Sequence, residues 1–154
     1  MNHNAFKKIQ LIHKAIMLGI MLFMVVAVVV VGTGIINKPA AQLDRILQVV
    51  VLVLAAIAYF AGRAASNKKL LAAKEQNGAL QKFALYKMGM LIFWIALEMP
   101  ALLGIIGFIL TGNYAFIVMS FVLLLLIAAA SPAKKTICYL LELTEQEILV
   151  LENS

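Results

Sequence analysis

The sequence predicts an all-α membrane protein of four transmembrane helices followed by short cytoplasmic helices, and three observations carry that prediction. The first is composition. The chain of 154 residues is 64% hydrophobic and only 13% charged, with a mean hydropathy of +1.02, whereas a soluble domain is about half apolar and about a quarter charged. A water-soluble fold this small leaves too much surface exposed to hide so many apolar side chains. The second is that the apolar residues fall into four runs long enough for a helix to cross hydrocarbon. The third is that lysines and arginines flank those runs, as they do in membrane proteins. Nucleic-acid recognition needs its basic residues gathered on a solvated face, so the formal charge of +6 points to the lipid bilayer as partner and not to nucleic acid.

The first run covers residues 15–36 and follows Lys7, Lys8 and Lys14. It has the outline of a signal peptide, but it leads into Gly32, Thr33 and Gly34 without an Ala-x-Ala cleavage pattern and reads as a retained span. Asn37, Lys38 and Pro39 close it, because proline does not continue a helix comfortably. The second run covers 43–61. Residues 62–81 contain Arg63, Lys68, Lys69, Lys74 and Glu75 and are too charged for the bilayer interior; within them, 67–76 suits a short surface helix.

The third run, 83–110, exceeds the minimum length and allows tilt, with Lys87 snorkelling to the interface. Thr111, Gly112 and Asn113 form a tight turn into the fourth run, 114–130. Ser131 and Pro132 have the pattern of a serine N-cap with proline at the first helical position, predicting a helix from 132 to about 141. Thr144 with Glu147 three places on is a capping-box pattern for a last helix ending at Glu152. The chain thus divides into a four-helix transmembrane domain, 1–131, and a cytoplasmic helical tail, 132–154. Eleven of the thirteen basic residues fall on one side of these spans, leaving Lys38 and Arg45 on the other. Both termini are therefore expected in the cytoplasm.

A faint internal repeat suggests two duplicated helical hairpins. Gly-Ile-Met-Leu-Phe at 19–23 matches Gly-Met-Leu-Ile-Phe at 89–93, and the small-residue exits at 65–69 and 131–135 each end in two lysines. Hairpins that both start inside would be parallel repeats about the membrane normal.

Glu98 is the one acidic residue inside a predicted span, midway between Tyr86 and Leu110. An intramembrane acid costs several kcal/mol and persists where it is neutralised, paired or useful. Pro100 removes a backbone N–H and frees the carbonyl of Ala96 one turn away, which also predicts a kink. Three readings stand side by side. Glu98 is a protonated helix-packing group bonded to Ser120 or to a carbonyl of a neighbouring span, the titrating site of a proton or cation pathway with Pro100 and Ala96 beside it, or a contact to lipid or a partner subunit. Further along, Gly104 and Gly107 invite close approach of another helix. His13 reads as an interfacial residue at the edge of the first span, and Trp94 as an interface or packing aromatic.

The single cysteine, Cys138, permits no internal disulfide and no thiolate metal cluster. No nucleophile elbow, zinc-helix motif or phosphate-binding loop is present, so neither an enzyme nor a cofactor or metal site is expected. Glu98 with a glycine six places later at Gly104 resembles the ion-carrying helix of the rotary-ATPase proteolipids. That resemblance covers about one helix, and the acid's place in the third span and the inward termini depart from it. Glu98-x-Pro100, the turn at 111–113 and the exit through Ser131 and Pro132 to an acidic tail resemble a family of small four-helix bacterial inner-membrane proteins over most of the chain. This likeness implies an inner-membrane location and brings no activity with it. The expected function is that of a non-enzymatic accessory or scaffold subunit, associating with itself or another membrane protein. Glu142, Glu145, Glu147 and Glu152 of the tail would meet the lysine-rich segment between spans two and three.

Overall fold

The computed structural model describes residues 4–34 and 41–154, with side chains in the second stretch from residue 44 onward. The turn expected at Asn37, Lys38 and Pro39 lies outside the described residues. Six helices follow in order: α1 (Ala5–Gly32), α2 (Ala41–Lys74), α3 (Ala79–Thr111), α4 (Ala115–Ala129), α5 (Lys134–Leu140) and α6 (Glu145–Glu152). Among the described residues the protein is all-helical. Three helices are long and apolar enough to cross a membrane, or four if α4 and α5, bent by 68° relative to each other, count as one span.

Helix α3 is the hub. It packs along α2, α4 and α1, whereas α1 and α2 barely touch and α4 meets each of them only briefly. The two expected hairpins are therefore not packed alike: α3 and α4 lie in close contact, and α1 and α2 are held apart by α3. The cause is the distribution of small residues. Gly62 of α2 lies against Ala96 and Phe93 of α3, and Gly89 of α3 lies against Ser66 and Lys69 of α2. Gly104 and Gly107 of α3 admit Ser120 and Phe116 of α4. On α1, by contrast, nothing lies within 4 Å of where a Cβ on Gly19 or Gly32 would stand.

The charged segment after the second apolar run is not a loop carrying a separate short helix. α2 continues through it to Lys74, and only Glu75 to Gly78 break the chain before α3 begins. The continuation survives because its apolar positions have a partner. Ala73 is buried, as are Ala79, Phe83 and Tyr86 at the start of α3, while Lys68 is exposed and Lys74 reaches Glu142 of the tail. The N-terminal end of α1 joins this layer, with Phe6 edge-on to Phe83 at 5.6 Å between ring centroids.

The tail closes the layer from below. α5 begins at Lys134 with Ala133 at its N-cap and no side-chain cap bond, two residues later than the serine and proline pattern predicts. Pro132 is instead fully buried, and its carbonyl accepts a bond from Gln10 Nε2 at 3.2 Å. In α6 the Thr144 and Glu147 capping box is formed as expected. Ile137, Leu141 and Leu151 are fully enclosed, and α6 packs on α3 and α1. Three lysines pair with tail acids: Lys74 with Glu142 at 2.6 Å, Lys82 with Glu147 at 2.9 Å and Lys134 with Glu152 at 2.5 Å. Exposed pairs contribute little, so the half-buried Lys82–Glu147 pair matters most for where α6 sits.

The Thr144 backbone N–H and the Lys82 ammonium hold the Glu147 carboxyl below its ordinary range, and Lys74 does the same for Glu142. A carboxyl depressed in the folded state stabilises fully above its unfolded value, about 4.3 for glutamate, and loses that contribution as pH falls through the folded value. α6 is therefore expected to loosen only below about pH 4. Hydrogen-exchange protection of residues 145–152, taken against the intrinsic rate at each pH, should fall there and hold between pH 5 and 8. Equal protection at pH 3 and pH 7 would show that the ion pairs do not hold the tail.

At the opposite end, Asp44 at the start of α2 does more than complement a helix dipole. Its Oδ2 accepts from Asn113 Nδ2 at 2.7 Å and from Gln48 Nε2 at 3.3 Å. This joins the start of α2 to the turn between α3 and α4. Gly112 makes that turn possible by taking a left-handed conformation, φ 67°, which other residues adopt only with strain.

Candidate functional site

The polar chemistry of the apolar region gathers along α3 in three places. The first is its contact with α4. A Cβ on Gly104 would collide with Ser120 Oγ and stand 3.2 Å from the Phe116 carbonyl, and one on Gly107 would stand 2.7 Å from the Phe116 ring. Both glycines are therefore spent on backbone proximity. Ser120, fully buried, donates to the Ala101 carbonyl at 2.8 Å. It does not meet Glu98, because its reach is used one turn further along α3.

The second is the break between α4 and α5. The last carbonyls of a helix are short of intrahelical donors; at this break α3 supplies one to the Ala130 carbonyl, and α1 adds one to the Ile127 carbonyl beside the bond it takes from the Ala130 N–H. Trp94 Nε1 donates to the Ala130 carbonyl at 3.3 Å, and His13 Nε2 lies 2.9 Å from the Ile127 carbonyl. A carbonyl only accepts, so Nε2 carries the proton in this contact. The His13 and Trp94 rings pack with centroids 4.8 Å apart, and Gln10 completes the set at Pro132. His13 is thus enclosed by the protein and not left on its surface. It is 4% exposed, and its partner lies 114 residues away in sequence, beyond any local pattern.

The third place is Glu98 itself. It lies on the border of two stripes of α3. Trp94, Ala101 and Ile105, one and two turns away on its own face, are fully enclosed, while Ile95 and Met99 are exposed. Glu98 is partly exposed, and no hydrogen bond or ion pair to it is formed among the described residues. α3 runs as one continuous helix through Pro100, which is buried. Ala96 is the residue against which Gly62 of α2 packs, so the position that proline frees is also where α2 crosses. The structure therefore brings Ala96 and Pro100 into the body of the helix pack and leaves the carboxyl at its edge. Among the described residues no group of three His, Cys, Asp or Glu side chains gathers in a metal-binding arrangement.

Comparison with known protein families, curated proteins and solved structures finds no match. The functional reading accordingly rests on the residues themselves.

Proposed function

We propose that this chain is an integral protein of the bacterial inner membrane, with both termini cytoplasmic, that serves as a non-enzymatic accessory or scaffold subunit by packing against another membrane helix. The observation that carries the reading is Glu98. A carboxyl group inside an apolar zone, without a partner among the described residues and beside exposed Ile95 and Met99, is satisfied when a second helix supplies a hydrogen-bonding group.

The surroundings support a lipid setting. Exposed Leu18, Leu22, Val49, Leu52, Ile106 and Val122 belong to four different helices and to one apolar zone, and an apolar surface that broad is not left to water. α4, 15 residues long, reaches only about 22 Å, short of the roughly 30 Å of hydrocarbon. His13, Trp94 and Gln10 then supply the donors that its early end needs. The basic ends of α1, α2 and α3 stand in the cytoplasm with the tail. A packing role fits Glu98 better than translocation, because the residues one turn to either side on its face, Trp94 and Ala101, are apolar and enclosed and offer no relay.

Glutamine keeps hydrogen-bonding capacity but does not titrate, whereas leucine has neither property. Glu98→Leu is expected to weaken the assembly recovered from membranes about tenfold, from a bond worth about 1–2 kcal/mol, and Glu98→Gln to leave most of it. The check is size and crosslinking of tagged protein in mild detergent. An assembly indifferent to Glu98→Leu overturns the packing role. Proton or cation flux into liposomes that Glu98→Gln abolishes would replace it with translocation.

A further inference from the structure

A second feature lies on the other side of α3, where α2 and α4 touch only briefly. Their separation leaves a groove of about 410 Å³ whose walls are apolar, among them Leu52, Ala56, Tyr59 and Leu126. That volume falls within the usual range for small-ligand sites. Tyr59 and Leu126 stand toward the cytoplasmic end, where α4 stops at Ala129 and the chain turns away through 68°. One turn beyond Tyr59 on the same face of α2 is Arg63. Its guanidinium is held over the Phe93 ring at 5.9 Å, the same ring that Tyr59 meets edge-on at 6.0 Å. Arg63 is exposed, and among the described residues no carboxylate pairs with it.

We infer that this groove binds an anionic phospholipid of the cytoplasmic leaflet, with an acyl chain between α2 and α4 and the phosphate on Arg63. The inference rests on the membrane placement proposed above and goes beyond the packing role. Charge and shape agree on this occupant. The groove offers hydrocarbon contact and nothing polar for a soluble ligand, while its mouth offers a planar cation that matches phosphate in bidentate geometry. Phe93 holds that cation in place, so less side-chain freedom is lost on binding. A protein helix in the same groove would bring its own backbone but no reason for an unpaired arginine at the exit. The early end of α4 clears the space in which a headgroup reaches Arg63.

The test uses the full-length protein purified in detergent, delipidated, exposed to an equimolar mixture of phosphatidylglycerol and phosphatidylcholine, and analysed for retained lipid by mass spectrometry. The unmodified protein is expected to retain phosphatidylglycerol about tenfold over phosphatidylcholine, the factor that corresponds to roughly 1.4 kcal/mol. Arg63→Gln should bring the ratio close to parity, and Lys68→Gln, which removes an equal charge elsewhere on α2, should leave it high. Ala56→Trp, filling the groove, should lower retention of the anionic lipid with helix content by circular dichroism unchanged. Parity in the unmodified protein, equal effects of the arginine and lysine variants, or full retention in Ala56→Trp overturns the inference. Displacement of the lipid by millimolar inorganic phosphate also overturns it, since a free ion does not compete for an acyl-chain groove. Resistance of the protein to alkaline extraction from membranes keeps the two readings apart. A chain that stays in the membrane yet shows no preference loses this inference alone, and one that extracts into the supernatant loses the membrane placement as well.

Discussion

Trp94→Ala is expected to destabilise the protein by about 3–5 kcal/mol, the range for removing a fully buried aromatic side chain. Trp94 is the largest of the fully enclosed side chains, and it does two things at once. Its ring fills the junction of α1, α3 and the end of α4, tilted against His13 with centroids 4.8 Å apart, and its Nε1 donates to the Ala130 carbonyl where α4 has run out of backbone donors. Alanine leaves a cavity and an orphaned carbonyl together. Trp94→Phe separates the two effects, since it keeps most of the packing and loses the bond, at a cost of about 1–3 kcal/mol for an unsatisfied buried group. His13→Leu removes the neighbouring donor, and because both side chains serve the same helix end, the double variant is expected to depart from additivity. Unfolding in detergent followed by far-ultraviolet circular dichroism gives these differences. A Trp94→Ala protein as stable as Trp94→Phe would mean that the ring does not hold the junction.

Gly104→Val should separate α3 from α4 and cost about 1–3 kcal/mol, or more where the helices cannot shift apart. Even the first added carbon collides with Ser120 Oγ and meets the Phe116 carbonyl at 3.2 Å, and the latter is backbone, which does not rotate away. Gly104→Ala combined with Ser120→Ala relieves the first contact and leaves the second, so partial rescue is expected. Gly107→Ala meets the enclosed Phe116 ring at 2.7 Å and should behave like the unrescued variant. The readout is the unfolding midpoint, with crosslinking between cysteines placed on α3 and α4 reporting their separation. Normal crosslinking and an unchanged midpoint in Gly104→Val would show that the two helices do not depend on this approach.

Several elements were legible because their causes are local. The Thr144 and Glu147 capping box, the turn through Gly112 and the four apolar runs are each set by residues within a few positions of one another, where backbone chemistry and hydropathy decide the outcome. The extent of α2 was not. Hydropathy marks where hydrocarbon would end, whereas a helix ends where its backbone loses its partners. Residues 62–74 remain helical because the first turns of α3 cover their apolar face. The site divides in the same way. Glu98, Pro100, Gly104 and Gly107 announce themselves by residue type alone, since an acid, a proline and two glycines are conspicuous in an apolar run. His13 and Asp44 did not, because the groups they serve lie 114 and 69 residues away.

The amino-acid sequence by itself determined the helical, membrane-compatible character of the chain, the number of apolar runs, the side on which its charge collects and the caps of its last helix. These follow from composition and near-neighbour chemistry. Only the tertiary structure decided that α3 is the hub, that α1 and α2 stay apart, that tail acids are taken up by Lys74, Lys82 and Lys134, and that among the described residues no charged group pairs with Glu98 or Arg63. Those outcomes depend on which small residues allow two backbones to approach, a property of pairs of helices that no single stretch of sequence contains.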